Sequence, residues 1–257
     1  MNLAMEQILV WVGAVMWPFA RIGAMLLVMP VFGGDQITAT VRILFALVLA
    51  IFVALQGPVL PAVDPISIEG VVVTVHQVLI GLVMGFILQM VFSALTQAGE
   101  VIALSMGLGF ASIMDPAQGV QVPVVSTIFV IMATLIFLAM NGHLIALELL
   151  LTSFETLPVA PTGLDTEALA ALVAFGSVMF QGAVLVAIPA VASLLLVNLS
   201  MGVITRASPQ LNIFAVGFPM MILMGFILLM LTMPGLPERL GDLLFDGFGL
   251  MQGMLGF

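Results

Sequence analysis

Six long apolar runs, each set off from the next by a short group of turn-forming residues, limit what this chain can fold into more than any other feature. They occupy residues 8–31, 41–56, 71–95, 124–140, 168–197 and 211–233. A helix needs about 20 apolar residues to cross the hydrocarbon of a bilayer. Within that hydrocarbon, only helices and closed barrels satisfy every backbone group. The second run is short for a span and the fifth too long for an upright one. The separators, GGDQITAT, QGPVLPAVDP, MDPAQGVQVP, TLPVAPTGLD and TRASPQLN, carry the Gly, Pro, Asp and Asn that turns use. An all-α membrane protein made of one domain over residues 1–257 is the expectation, with about six long hydrophobic helices, helical hairpins and a short re-entrant loop.

Composition narrows the classes further. With 63% of 257 residues hydrophobic, 7% charged and a mean hydropathy of +1.36, too few polar side chains remain to cover a soluble core. Thirteen acids against four arginines give a net charge of -9. Four scattered cations cannot form the basic face that nucleic acid requires, so no nucleic-acid partner is expected. The absence of cysteine removes disulfides, thiolate catalysis and Cys-ligated metal. MNLAMEQILV has no basic residue ahead of its apolar run, so the first run reads as a retained helix rather than a cleaved leader. The tail over 237–257, with Glu238, Arg239, Asp242 and Asp246 among Leu and Phe, reads as an amphipathic helix along a surface or against a partner. Arg42 and Arg206 fall on one side of a six-span chain and Asp64, Glu69, Glu155, Asp165 and Glu167 on the other, which places both termini outside.

Polar residues inside the apolar runs are the candidate functional positions. In the third run, Gln77, Gly81, Gly85, Gln89, Ser93 and Gln97 recur in steps of four, a ridge of small and amide side chains along one helix. Such a ridge admits a close backbone, either of the same chain or of another subunit. After it, the run over 101–114 is too short to cross, and it is closed by Asp115 and Pro116. Runs of 10–14 apolar residues suit re-entrant or buried segments. Gly107, Gly109 and Phe110 then form a loop facing an internal space. If that space is a pore, Met106, Leu108, Phe110, Ile113 and Met114 make an apolar constriction; otherwise the loop fills a bundle. Arg21 lies midway along the first run, where a lone charge costs about 2.5–3.5 kcal/mol on insertion scales. It must face protein, with carbonyls or a carboxylate such as Glu100 as candidate partners. His76 and His143 lack the spacing of a metal helix and read as structural. Glu100 and Glu148 have no second acid or base nearby in sequence to complete a proton relay. No phosphate loop, nucleophile elbow or paired acids appear, so neither an enzymatic activity nor a cofactor is expected.

The stretch RASPQLNIFAVGFP, with FARIGAMLLVMPVFG, QAGEVIALSMGLGFASIMDP and NGHLIALELLLTSFETLP in the same order, resembles the FliR family of flagellar export-gate subunits. That family is related to the corresponding subunits of virulence type III secretion systems. The resemblance covers essentially the full chain. It implies a non-enzymatic subunit of the bacterial inner membrane at the flagellar basal body, raised towards the periplasm. It further implies assembly with several copies of FliP and FliQ, association with FlhB, contact with membrane lipids, and passage of unfolded rod, hook and filament proteins through a central conduit. In that setting Met106, Gly107, Leu108, Gly109, Phe110, Ile113, Met114, Asp115 and Pro116 correspond to a loop that plugs the resting conduit. Arg206, Pro209, Gln210 and Asn212 correspond to a structured turn, Pro209 stopping one helix and Asn212 capping the next. Two other readings are a virulence-system subunit, which sequence separates poorly, and a proton-coupled small-molecule transporter. The transporter predicts inverted repeats and convergent acids at the midplane, features this sequence does not plainly carry.

Overall fold

The computed structural model describes residues 2–34, 37–57, 61, 63–108, 124–208 and 216–256, and of residues 2–10 the backbone alone. It is helical throughout, with no strand among the described residues. The helices are α1 (Asn2–Val28), α2 (Ala39–Leu55), α3 (Ile68–Ser105), α4 (Val124–Ala139), α5 (Gly142–Thr156), α6 (Thr166–Ala207), α7 (Phe218–Thr232) and α8 (Leu236–Leu255), with a 3₁₀ turn over Met233–Gly235 joining the last two. Four stretches are long and apolar enough to cross a membrane, namely Trp11–Val28, α3, α6 and the run Phe218–Leu255. A fifth arises if α4 and α5, bent by 65°, count together. At 17 residues, α2 is short.

The helices depart from the six apolar runs in instructive ways. The third helix does not end near residue 95 but continues to Ser105, taking in the first part of the run expected to re-enter. Gly99 is the residue that could have stopped it. In the structure Gly99 instead lets α4 approach, since a Cβ there would lie 2.6 Å from the Cα of Ser126. Between α4 and α5 the chain turns at Asn141, whose φ of 58° is left-handed. Asn adopts that conformation more readily than other side-chain-bearing residues. The Asn141 carbonyl then accepts the N–H of Leu144 at 2.9 Å, so a helix restarts at once. The tail is the helix α8, entered through Pro234 and Pro237. Proline suits a first turn because the N–H it lacks has no helical partner there. Leu236, Leu240, Leu243, Leu244, Met251 and Leu255 are buried on one side of α8, while Glu238, Arg239, Asp242 and Asp246 are exposed.

The chain packs as two compact units interleaved along the sequence. The first comprises residues 1–91, 138–176 and 244–257. Its core holds Trp17, Ile22, Met25 and Leu26 of α1 and Met29 just past its end, with Ile80, Met84 and Ile87 of α3. α1 and α2 form a hairpin whose turn is clasped by Phe32 stacked on Phe45, ring centroids 5.8 Å apart. The second unit comprises residues 92–137 and 177–243. Here the end of α3 runs antiparallel to α4, Phe92 meeting Phe137 edge-on at 5.6 Å and Gly99 meeting Ser126.

Candidate functional site

Arg21 of α1 organises the first unit. Its side chain is fully buried, and a guanidinium has five N–H donors. Nε donates to Gln77 Oε1 at 2.8 Å, and Nη2 donates to the same oxygen and to the Leu157 carbonyl at 2.9 Å. Nη1 donates to the Ser153 carbonyl at 2.8 Å and to Ser153 Oγ at 3.0 Å. Five donors make five bonds, and the guanidinium also lies over the Phe154 ring, 4.3 Å from its centroid. Two of the acceptors are carbonyls at the C-terminal end of α5. There the helix carries partial negative charge that favours a cation. Of the two kinds of partner expected, carbonyls take the arginine, and Glu100 is not among its acceptors. With every donor engaged, Arg21 has nothing left to offer a substrate or a moving proton.

Gln77, Gly81 and Gly85 are all buried. At Gly81 an added Cβ would run into the Arg21 carbonyl oxygen, and at Gly85 it would lie 2.7 Å from that of Met25. Residue numbers rise together along the contact, so α1 and α3 run parallel with their backbones nearly touching. The ridge does not stay on one side, however. Gln89 is exposed, and Ser93 and Gln97 are half-buried. Steps of four overshoot a 3.6-residue turn by about 40° each, so the row winds around the helix and leaves the contact after Gly85.

The stop of α3 places the start of the proposed plug. Gly107 has φ of 84°; its N–H donates to the Leu104 carbonyl at 3.0 Å, and the Leu108 N–H donates to that of Ala103 at 3.0 Å. This pair of bonds around a left-handed glycine is a Schellman motif. Met106, the last residue before it, is buried against α7, where a Cβ on Gly225 would overlap its side chain. Met106, Gly107 and Leu108 thus have defined positions. Gly109, Phe110, Ile113, Met114, Asp115 and Pro116 lie outside the described residues, as do Pro209, Gln210 and Asn212 of the proposed turn. Arg206 is exposed in the last turn of α6.

Sequence reasoning did not find Ser153, Phe154 and Leu157. They stand more than 130 residues from Arg21, and nothing in TSFETLP marks an acceptor set. Glu100 and Glu148 are both exposed, on different helices. Among the described residues no group of three or more His, Cys, Asp or Glu could hold a metal ion.

Residues 12–246 match the family described as bacterial export proteins, family 1. The chain is 35% identical to the flagellar biosynthetic protein FliR of Escherichia coli (strain K12), over 99% of this chain and 97% of that protein. It is 38% identical to FliR of Pectobacterium carotovorum subsp. carotovorum, over 95% and 94%. With FliR of Bacillus subtilis (strain 168) it shares 34% identity over 84% of each chain.

Proposed function

The chain belongs to family 1 of the bacterial export proteins, and from that premise we propose that it is a non-enzymatic core subunit of the flagellar protein export gate. It assembles with several copies of FliP and FliQ, with FlhB associated, in the cell inner membrane and raised towards the periplasm. Unfolded rod, hook and filament proteins pass through the conduit that the assembly encloses. The observation that carries this reading is the end-to-end match to a flagellar biosynthetic protein, 99% of one chain against 97% of the other. The helices support it: only 28% of the apolar stretch of α6 is buried within the chain, leaving Val184, Leu195, Leu196, Leu199 and Val203 uncovered. A chain that cannot cover its own helices is suited to being covered by others.

Native mass spectrometry of the tagged protein, extracted gently from its own membranes, tests the assembly. One copy of this chain with several copies of two other small hydrophobic proteins is the expected result. A monomer or a symmetric homo-oligomer that survives extraction alone would overturn it.

Residues 106–116 plug the resting conduit in this reading, Met106 against Gly225 and the Gly107 stop fixing where the segment leaves α3. Deleting 109–116 while keeping Met106–Leu108 is expected to raise ion leakage through the resting membrane several-fold without lowering the amount of assembled gate. Patch or planar-bilayer conductance checks this, and unchanged leakage would sink the plug.

A further inference from the structure

The last turns of α3 present a face that nothing in the described chain completes. At about 100° per residue, Ser93, Gln97, Glu100, Val101 and Leu104 fall within a sector about 100° wide. Leu95, Ala98, Gly99, Ile102 and Met106 occupy the opposite side and are buried. On the outer sector Glu100 is exposed, Ser93 and Gln97 are half-buried, and Val101 and Leu104 are 45% and 66% exposed.

Neither plain solvent suits this mixture. Facing hydrocarbon, an unpaired carboxylate is costly, and two polar neighbours add to the cost. Facing water, two large aliphatic side chains would stay uncovered beside it. Apolar side chains beside a hydroxyl, an amide and one charge fit the mixed rim of a protein interface. The charge also lacks a counter-ion. No ion pair forms among the described residues, Arg21 has spent its five donors, and Arg42 donates to the carbonyls of Gly34 and Ile37.

We propose that the face Ser93, Gln97, Glu100, Val101 and Leu104 docks a helix of another chain that sets a Lys or Arg opposite Glu100. The proposal rests on the reading of this chain as one subunit of a larger assembly. The partner's basic residue neutralises Glu100, its small or amide residues meet Ser93 and Gln97, and its apolar residues cover Val101 and Leu104. Opposite charge here selects the partner and fixes its register, since a like charge opposite Glu100 would repel it.

Because the chain has no cysteine, Gln97→Cys and Val101→Cys give single thiols for probing the complex in native membranes. A cysteine-directed photocrosslinker should capture a partner peptide containing Lys or Arg, and the thiols should resist a water-soluble maleimide while the complex is intact. Glu100→Arg should lower the recovered complex about tenfold or more, and exchanging the captured basic residue for Glu should restore it. Glu100→Gln, which keeps size and hydrogen bonding, should have a smaller effect. Free labelling of both thiols in the intact complex, or wild-type assembly by Glu100→Arg, would overturn the proposal alone. Recovery of the wild-type chain without any partner would overturn it together with the functional reading.

Discussion

Replacing Arg21 by Leu is expected to deplete the chain from the membrane and abolish swimming. The substitution strips Gln77 Oε1 of its donor and takes Arg21 away from the Leu157 carbonyl, while the Ser153 carbonyl keeps the Leu157 N–H and Ser153 Oγ still donates to the Leu150 carbonyl. Each buried acceptor stripped of its partner costs about 1–3 kcal/mol, and a whole domain is stable by only about 5–15 kcal/mol. Leucine fills part of the space and removes a buried charge, so most of the loss is of bonds. Arg21→Lys separates the two terms: it keeps the charge but has three donors on one nitrogen, which cannot reach Gln77 on α3 and the end of α5 with the geometry of a planar fork. Lysine should therefore rescue only partly. Quantitative blotting of membrane fractions beside a motility assay provides the readout, and wild-type levels of Arg21→Leu would show that the five bonds do not hold α1, α3 and α5 together.

The second large effect is expected at Gly81. A methyl group there meets the Arg21 carbonyl oxygen and comes within 3.0 Å of Ala24 Cβ. Overpacking of this kind usually costs about 1–3 kcal/mol. Here the obstacle is backbone belonging to the residue pinned by five hydrogen bonds, so it cannot yield as a flexible side chain does. Gly81→Val should destabilise the detergent-solubilised chain by several degrees and Gly81→Ala by less. Gly23 is the internal contrast, because a methyl group there would meet no neighbouring atom within 4 Å. Gly23→Ala should be neutral or slightly stabilising, since alanine is favoured over glycine in a helix by up to about 1 kcal/mol. Thermal unfolding followed by tryptophan fluorescence compares the three, and equal melting temperatures would remove the close approach of α1 and α3 as a constraint.

These two residues show what is legible in the sequence. Gly81 is marked by its spacing with Gln77 and Gly85, because close packing leaves a local pattern. Arg21 is marked by its improbability in an apolar run, but its acceptors are not, because a carbonyl is carried by every residue and has no letter of its own. Helical class follows from the long apolar runs, whereas helix ends do not follow from glycine alone. Gly99 and Gly107 look alike in QAGEVIALSMGLG, yet one serves the approach of α4 and the other ends α3. The difference lies in what packs beside them. α5 is hidden by Asn141, which reads as a break and acts as a corner from which a helix resumes. Most of the plug and most of the proposed turn lie outside the described residues, so their placement rests on resemblance.

The length of α3 carries a consequence for how such a protein can be made. Thirty-eight helical residues at about 1.5 Å each span roughly 57 Å, against a hydrocarbon layer of about 30 Å. Tilting to fit would need roughly 60°, beyond the 0–40° that membrane helices adopt. A good part of this helix therefore ends up outside the hydrocarbon with its apolar side chains still on it. A newly inserted copy that meets no companions leaves the uncovered apolar side chains of α3, Val71, Val75, Val101 and Leu104 among them, to surroundings that suit them only in part, the kind of surface by which quality control recognises an orphan. The abundance of the chain in a cell should then follow the supply of its companions more closely than the rate of its own synthesis.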